Sequence, residues 1–338
     1  MREPEVKRLV VAALLAVCAA STSGAQTAPP YPAITIPLEI NQVPGRQIWY
    51  STGNPGIPGK DNEGNTSNAG FVVTSDGVVV FDALGTPSHG WALLQEIRKL
   101  TNKKIRYVVA SHYHADHIYG LQAFRDHTDA LIVAQERSGE YRDNDTIADE
   151  KASQRLDQRR GALYPWVDAN TRVVPPDITF RERMTIALGD RRLTLLFAGP
   201  AHSSSDMMMM VEPDGVLFAG DIVQNSRIPF MNSDDVSTTQ WLEALGEVEK
   251  LDPKVIIPGH GRTLSEAKQA IAFTRDYIQY VRGAMAAAVQ NWTDFDVAYR
   301  EADWSKYREF PAFASNNRGN AYRIFLELEQ SQFKAGKP

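Results

Sequence analysis

Residues 111–117 read Ser-His-Tyr-His-Ala-Asp-His and hold three of the chain's seven histidines. The stretch follows directly on Ile105–Ala110, an apolar run that reads as a buried strand. On an extended chain, residues two apart project the same way, so His112 and His114 reach one point together. Asp116 and His117 fall where the chain turns into the next helix, and they aim at a neighbouring point. Imidazole nitrogen at about 2.0–2.1 Å and carboxylate oxygen at about 2.0–2.2 Å both suit zinc. One tetrahedral ion does not take four ligands from so short a stretch. Two adjacent ions relieve that problem, provided each finds further ligands elsewhere.

The sequence offers those ligands. His202 follows the strand-like run Leu193–Ala198, Asp221 closes Val216–Ala219, and His260 follows Val255–Ile257. Each sits just past a strand's C-terminal end, where open α/β sheets collect ligands. Each is also flanked by glycine or small residues that let the backbone approach closely. His89 and His127 lack such a setting and read as surface residues.

Working outward, Gly70–Thr74 and Val78–Phe81 form a hairpin around Ser75-Asp76-Gly77, and Trp91–Leu100 reads as a helix. Met207–Val211 and Val216–Ala219 flank the turn Glu212-Pro213-Asp214-Gly215. The methionines at 207–210 fit a buried strand better than a copper site, because methionine is a common core filler. Trp241–Leu251 is an amphipathic helix, with Leu242, Leu245 and Val248 at helical spacing. Interleaved helices, strands and hairpins predict α/β layers with mixed sheets. Residues 26–67, rich in Pro, Gly and Asn, read as an extended lead-in to a domain over 68–262. Within it, 136–175 is a charged, helix-prone insertion that either roofs the site or is a solvated decoration. Residues 263–338 form a C-terminal helical extension, with faces marked by Ile271, Ile278, Val281 and Met285, then by Tyr322, Phe325 and Leu326.

The N-terminus has its own character. Arg2, Lys7 and Arg8 precede an apolar run from Leu9 to Ala20, and Ser23-Gly24-Ala25 supplies small residues. This predicts a signal peptide over 1–25, cleaved after Ala25, and a periplasmic or secreted protein. The run is too short to span a membrane. The single cysteine, Cys18, lies inside this segment, so the mature chain has neither disulfide nor thiolate ligand. A net charge of −5 over 338 residues gives no footprint for nucleic acid, and the partner to expect is a small-molecule substrate. The oligomeric state stays open.

From about Asn68 to Gly261 the ordered motifs Asp82, His112-x-His114-x-Asp116-His117, His202, Asp221 and His260 resemble the metallo-β-lactamase-fold superfamily. The resemblance implies an αββα sandwich with two zinc ions, or other divalent metals, at one edge of the two sheets. It implies that His112, His114 and His202 hold the first ion, that Asp116, His117 and His260 hold the second, and that Asp221 bridges them. Asp82 would tie the ligand loops together. The family often has Gly-Gly where this chain has Tyr119-Gly120. Some of its β-lactamases carry Cys or Ser where this chain has Asp221, which is the residue of glyoxalase II-like thioesterases and lactonases. Gln224 stands where some lactamases use a substrate-binding lysine, and Arg227 is the nearest cation able to serve instead. The leader and the helical tail make the layout similar to secreted zinc metallohydrolases associated with quinoprotein systems.

The expected function is a secreted dinuclear zinc hydrolase. A hydroxide shared by the ions attacks an ester, lactone or thioester, with Asp116 and Asp221 as the catalytic carboxylates. Tyr164 and Trp166, if the insertion roofs the site, favour a substrate with an apolar or aromatic acyl portion. Ser203, Ser204 and Ser205 read as loop residues, because no histidine–carboxylate pair is left to activate them. Three alternatives stand beside this one: a β-lactamase, a mononuclear iron dioxygenase that leaves His117 and His260 idle, and a metal-binding module without catalysis.

Overall fold

Alternation of apolar side chains along the strands decides how the layers stack. Val78 and Val80 face one way, towards helices, while Val79 and Phe81 face the other, towards a second sheet. The computed structural model describes residues 29–141, 146–263 and 266–335. The leader expected over 1–25 lies outside the described residues, and the elements below belong to the compact unit Tyr31–Pro338.

Among the described residues, the first sheet has seven strands in chain order: β1 (Ile40–Gln42), β2 (Ile48–Ser51), β3 (Ala69–Thr74), β4 (Gly77–Phe81), β5 (Ile105–Val109), β6 (Leu131–Gln135) and β7 (Ile178–Phe180). It is antiparallel from β1 to β4 and parallel from β4 to β7. The second sheet runs β12-β11-β10-β9-β8, from β8 (Arg183–Leu188), β9 (Arg191–Phe197), β10 (Met207–Glu212), β11 (Val216–Asn225) and β12 (Val255–Gly261). Only β11 and β12 pair in parallel there. Strands β1 and β2 fall in the stretch expected as a lead-in, and they widen the first sheet by pairing with β3.

Three apolar layers hold the stack together. Val72, Val79, Phe81, Val109 and Val133 meet Leu195, Met207, Met209 and Phe218 between the sheets. On the outer face of the first sheet, α1 (Pro87–Leu100) brings Leu93, Leu94 and Ile97, and α3 (Leu121–His127) brings Phe124. A one-turn helix, α2 (Ala115–Ile118), precedes α3, and α4 (Thr146–Leu163) follows it with Leu156 and Leu163 in the same layer. The outer face of the second sheet is covered by α5 (Thr238–Lys250), α6 (Ala267–Gln290), α7 (Phe295–Glu301) and α8 (Phe313–Ala335). Trp241, Leu245, Ile271, Ile278, Val281, Met285 and Ile324 pack there on Met208, Met210 and Leu217. Each such large side chain, fully buried, contributes about 1.5–3 kcal/mol. The result is an αββα sandwich with a C-terminal helical region.

Two readings of single residues change. His89 is fully buried, because α1 starts at Pro87, earlier than Trp91. Thr86 caps that helix by accepting from the His89 backbone N at 3.1 Å, and its hydroxyl meets His89 Nδ1 at 2.7 Å. On α8 the buried face is Ala321, Ile324 and Phe325, while Tyr322 turns outward against Phe295. Among the described residues, no helix is long and apolar enough to cross a membrane.

Candidate metal centre

The five motif histidines and two aspartates come from five separate places in the chain and converge on one spot. His112 and His114 follow the C-terminal end of β5, and Asp116 and His117 ride on α2. His202 lies between β9 and β10, Asp221 within β11, and His260 near the end of β12. Asp221 was expected past a strand's end, but β11 continues to Asn225 with a register irregularity between Gly220 and Gln224. That bulge turns Asp221 towards the histidines.

Ligand atoms within 4.8 Å of one another form three groups that could hold a metal: His112–His114–His202, His112–His117–Asp221 and Asp116–His117–His260. Asp221 Oδ2 lies 3.1 Å from His202 Nε2 and 3.3 Å from His260 Nε2, and Oδ1 lies 3.2 Å from His117 Nε2. Asp221 thus stands between the first group and the last. His114 Nδ1 faces His202 Nε2 at 2.8 Å, and Asp116 Oδ2 faces His260 Nε2 at 3.2 Å.

The other ring nitrogens fix the tautomers. His202 Nδ1 donates to Phe230 O at 2.9 Å and His260 Nδ1 to Thr66 O at 2.6 Å. His117 Nδ1 donates to Asp82 Oδ2 at 2.7 Å. Ser111 Oγ spends its proton on Asp82 Oδ2 at 2.9 Å, so it accepts from His112 Nδ1 at 2.9 Å. In all four rings the Nε2 lone pair therefore points inward, the arrangement a metal requires. His112 Nε2, His117 Nε2 and Asp221 Oδ1 are buried without a hydrogen-bond partner. Such orphaned groups are costly unless something positive meets them. The donor set fits bound metal.

The electrostatics divide the rings: His112, His114 and His202 are lowered, whereas His117 and His260 are raised, and a bound cation would displace a proton from each of these two. Burial, with the neighbouring imidazoles, pushes His112 well down and His114 down to about 3, so these rings stay neutral. Burial also opposes ionisation of Asp116 and Asp221, yet the imidazoles of His260 and His117 hold both well below the usual carboxylate range. His117 is likewise desolvated, but Asp221, Asp82 and Asp116 hold it above its ordinary value.

A frame of polar contacts holds the ligand loops. Asp82, at a positive φ of 60°, accepts from the Ser111 backbone N at 2.7 Å besides the contacts above. It thus ties His112 and His117 to β4, as the sequence suggests for it. Asn68 reaches the last loop: its Nδ2 donates to Pro258 O at 2.8 Å and Gly261 O at 2.9 Å, and its backbone N donates to Gly259 O at 2.7 Å. No local pattern points to this clamp, because its partners lie 190 or more residues away. Tyr113 donates to Asp235, whose carboxylate also accepts from the Ser204 N at 2.8 Å. At Gly259 a Cβ would stand 2.0 Å from Asp221 Oδ1, so only glycine fits there.

The ligands open onto a cavity of about 580 Å³. His114, Asp116, His202, Asp221 and His260 form its floor, and Gln154, Arg155, Gln158 and Arg159 of α4 form one wall. Tyr164 and Trp166 are not in that lining. Tyr164 is 65% exposed, and Trp166 donates its indole N–H to Ala33 O at 3.1 Å. The insertion does reach the cavity, but through a polar helix face, because the buried stripe of α4 uses Leu156 and Leu163 instead. Arg227 lines the cavity, yet it is only 4% exposed and three of its five N–H donors go to Pro55 O, Gly56 O and Gln224 Oε1.

The family model for the metallo-beta-lactamase superfamily matches residues 63–260. A linear primary-alkylsulfatase from a Pseudomonas species is 24% identical over 62% of this chain and 45% of its own length. The acyl-coenzyme A thioesterase MBLAC2 of Gallus gallus is 30% identical over 45% of this chain and 55% of its own. The chain thus spans about half the length of these two relatives. A metallo-beta-lactamase from Pontibacter korlensis shares the fold, with a TM-score of 0.55 at 20% identity over 72% of this chain and 99% of its own.

Proposed function

The chain belongs to the metallo-beta-lactamase superfamily, and from that premise we propose that it is a secreted dinuclear zinc hydrolase cleaving an ester, lactone or thioester. One observation carries the reading: three potential ligand groups, joined through Asp221, form the floor of a substrate-sized cavity.

In this reading His112, His114 and His202 would hold one ion and Asp116, His117 and His260 the other, with the Asp221 carboxylate lying between the two groups. Bound zinc would supply a low-pKa water and an electrophile for the scissile carbonyl. The protein's own groups supply the rest. Asp116 has its carboxylate at the cavity floor, with 15% of the side chain exposed, and is placed to orient the attacking water and take its proton. Water oxygen bonds to the acyl carbon, the bond to the leaving oxygen or sulfur breaks, and the proton ends on the leaving group. No separate nucleophile is required. Ser203 and Ser204 are held in the loop by Asp206 and Asp235.

The alternative within the class is a β-lactamase. A panel of para-nitrophenyl esters, a thioester, a lactone, a penicillin and an alkyl sulfate, run on zinc-loaded protein of known metal content, tests the reading. Two zinc ions per chain with turnover of an ester, lactone or thioester supports it. One iron per chain, or two metals with no turnover of any member, sinks it in favour of a dioxygenase or a metal-binding module.

A further inference from the structure

We infer that Arg159, seconded by Arg155, is an anchor for a negatively charged group on the substrate, so that the preferred substrate is an ester or thioester bearing a carboxylate or similar anion away from the scissile bond. The inference rests on the hydrolase reading and adds the substrate's charge to it.

The argument begins with the spacing on α4. Gln154 and Gln158, like Arg155 and Arg159, are four apart and lie on one helix face. That face forms a wall of the cavity over the ligand floor. Arg155 and Arg159 thus share one cavity with the imidazoles and the two carboxylates of that floor. The two arginines differ in their commitments. Arg155 lies over the Tyr113 ring, 5.4 Å from its centroid. Arg159 lines the cavity, is half-buried, and has no hydrogen-bond or ion-pair partner among the described residues.

The third cation of the lining, Arg227, is in a different situation. It is only 4% exposed, and two backbone carbonyls and Gln224 take three of its five N–H donors. Arg159 keeps a planar fork of donors for a ligand, the geometry that suits a carboxylate. Elsewhere the lining is mixed: Gln154, Gln158, Asn232 and Ser233 are neutral hydrogen-bonding groups, Ile57, Pro58 and Phe230 are apolar, and Asp234 is the acidic residue beyond the floor.

The test uses two matched pairs of esters on the zinc-loaded full chain. Mono-para-nitrophenyl glutarate against para-nitrophenyl pentanoate places the charge on the acyl side. Para-nitrophenyl acetate against its meta-carboxylated analogue places it on the leaving side. At least one pair should favour the anion by about tenfold or more in kcat/KM. Arg159→Ala should cut that ratio to near unity, Arg159→Lys should restore part of it, and raising salt from about 0.05 to about 0.5 M should shrink it. Glutarate binding followed by calorimetry gives a readout independent of turnover, and Arg159→Ala should weaken it about tenfold. If esters are hydrolysed without charge preference in either pair, or the preference survives Arg159→Ala, the anchor is wrong and the hydrolase reading stands. If no ester is hydrolysed, the thioester and lactone of the panel above decide the hydrolase reading, and the calorimetry alone decides whether Arg159 binds an anion.

Discussion

The side-chain amide of Gln224 donates to Asp221 Oδ2 at 3.1 Å. Behind it, the buried Arg227 guanidinium donates to Gln224 Oε1 at 2.9 Å. The sequence suggests Arg227 as a substrate contact in place of a missing lysine. The structure instead makes Gln224 a strut with Arg227 at its back, and both support the carboxylate that joins the ligand groups. A positively charged side chain at 224 would be desolvated beside Arg227, which explains why a neutral amide stands there.

Asp221→Ala should lower metal content below two per chain after dialysis, with the ion held by Asp116, His117 and His260 lost first, and should remove most hydrolysis. Asp221→Cys should retain more metal, since thiolate is also a good ligand. Gln224→Leu keeps both ligand triads but frees the strut, and should weaken metal binding by about ten- to a hundredfold. Elemental analysis with a chelator competition separates the variants. Full metal content and activity in Asp221→Ala means that this carboxylate joins nothing.

Asn68→Ala strands the carbonyls of Pro258 and Gly261 and leaves Gly53 N without its acceptor at 3.0 Å. Stranding one buried polar group costs about 1–3 kcal/mol. The urea midpoint of the metal-free protein should fall accordingly, and zinc affinity should fall further because the His260 loop loses its clamp. A variant with an unchanged midpoint and unchanged zinc affinity would show that the clamp is dispensable.

The seven residues that converge at the candidate metal centre were legible in the sequence through local rules: alternate positions on an extended chain, or a place at or near a strand's C-terminal end beside glycine or small residues. The αββα layering came from the family resemblance, because β4 is apolar at every position from Val78 to Phe81 and its pattern alone does not say which side chains face which layer. What escaped has no local signature. Asn68 acts through partners far along the chain, and Gln224 looks like the absence of a lysine until Asp221 is placed beside it. Tyr164 and Trp166 look like roof residues by composition, yet α4 turns Leu156 and Leu163 into the core and leaves its polar face for the cavity. His89 looks like a loop histidine until the Thr86 cap moves the start of α1.

Gly259 and Gly246 make a matched pair. A Cβ on Gly259 would meet Asp221 Oδ1 at 2.0 Å and the Gly220 backbone at 2.6 Å, and neither can move without shifting the ligands. Gly259→Ala should therefore lose metal and activity together. A Cβ on Gly246, within α5, meets nothing within 4 Å. Gly246→Ala should raise stability by about 0.4–1 kcal/mol with metal content unchanged. Thermal melts in zinc and in chelator report both, and equal behaviour of the two variants would contradict the close packing around Asp221.

The last prediction concerns the bond that is cut. A β-lactam carries a carboxylate that some lactamases hold with a lysine, and here that position is Gln224, turned towards Asp221. Arg227 is a poor substitute, because it is 4% exposed and Pro55 O, Gly56 O and Gln224 Oε1 already take three of its five N–H donors. A charge-assisted contact of this kind is worth about 1.5–3 kcal/mol, or roughly ten- to a hundredfold in binding. Arg159 stands on a different wall, on α4, so it cannot take the same pose for a compact bicyclic substrate by simple replacement. Activated esters, lactones or thioesters should therefore show higher kcat/KM than penicillins or carbapenems on one enzyme preparation. A lead of tenfold or more for the β-lactams, about 1.4 kcal/mol, would reverse the assignment. In that event Arg159→Ala and Gln224→Ala should be compared: a rise in KM for penicillin in the first alone would place the carboxylate on α4, and a rise in the second alone would place it on β11.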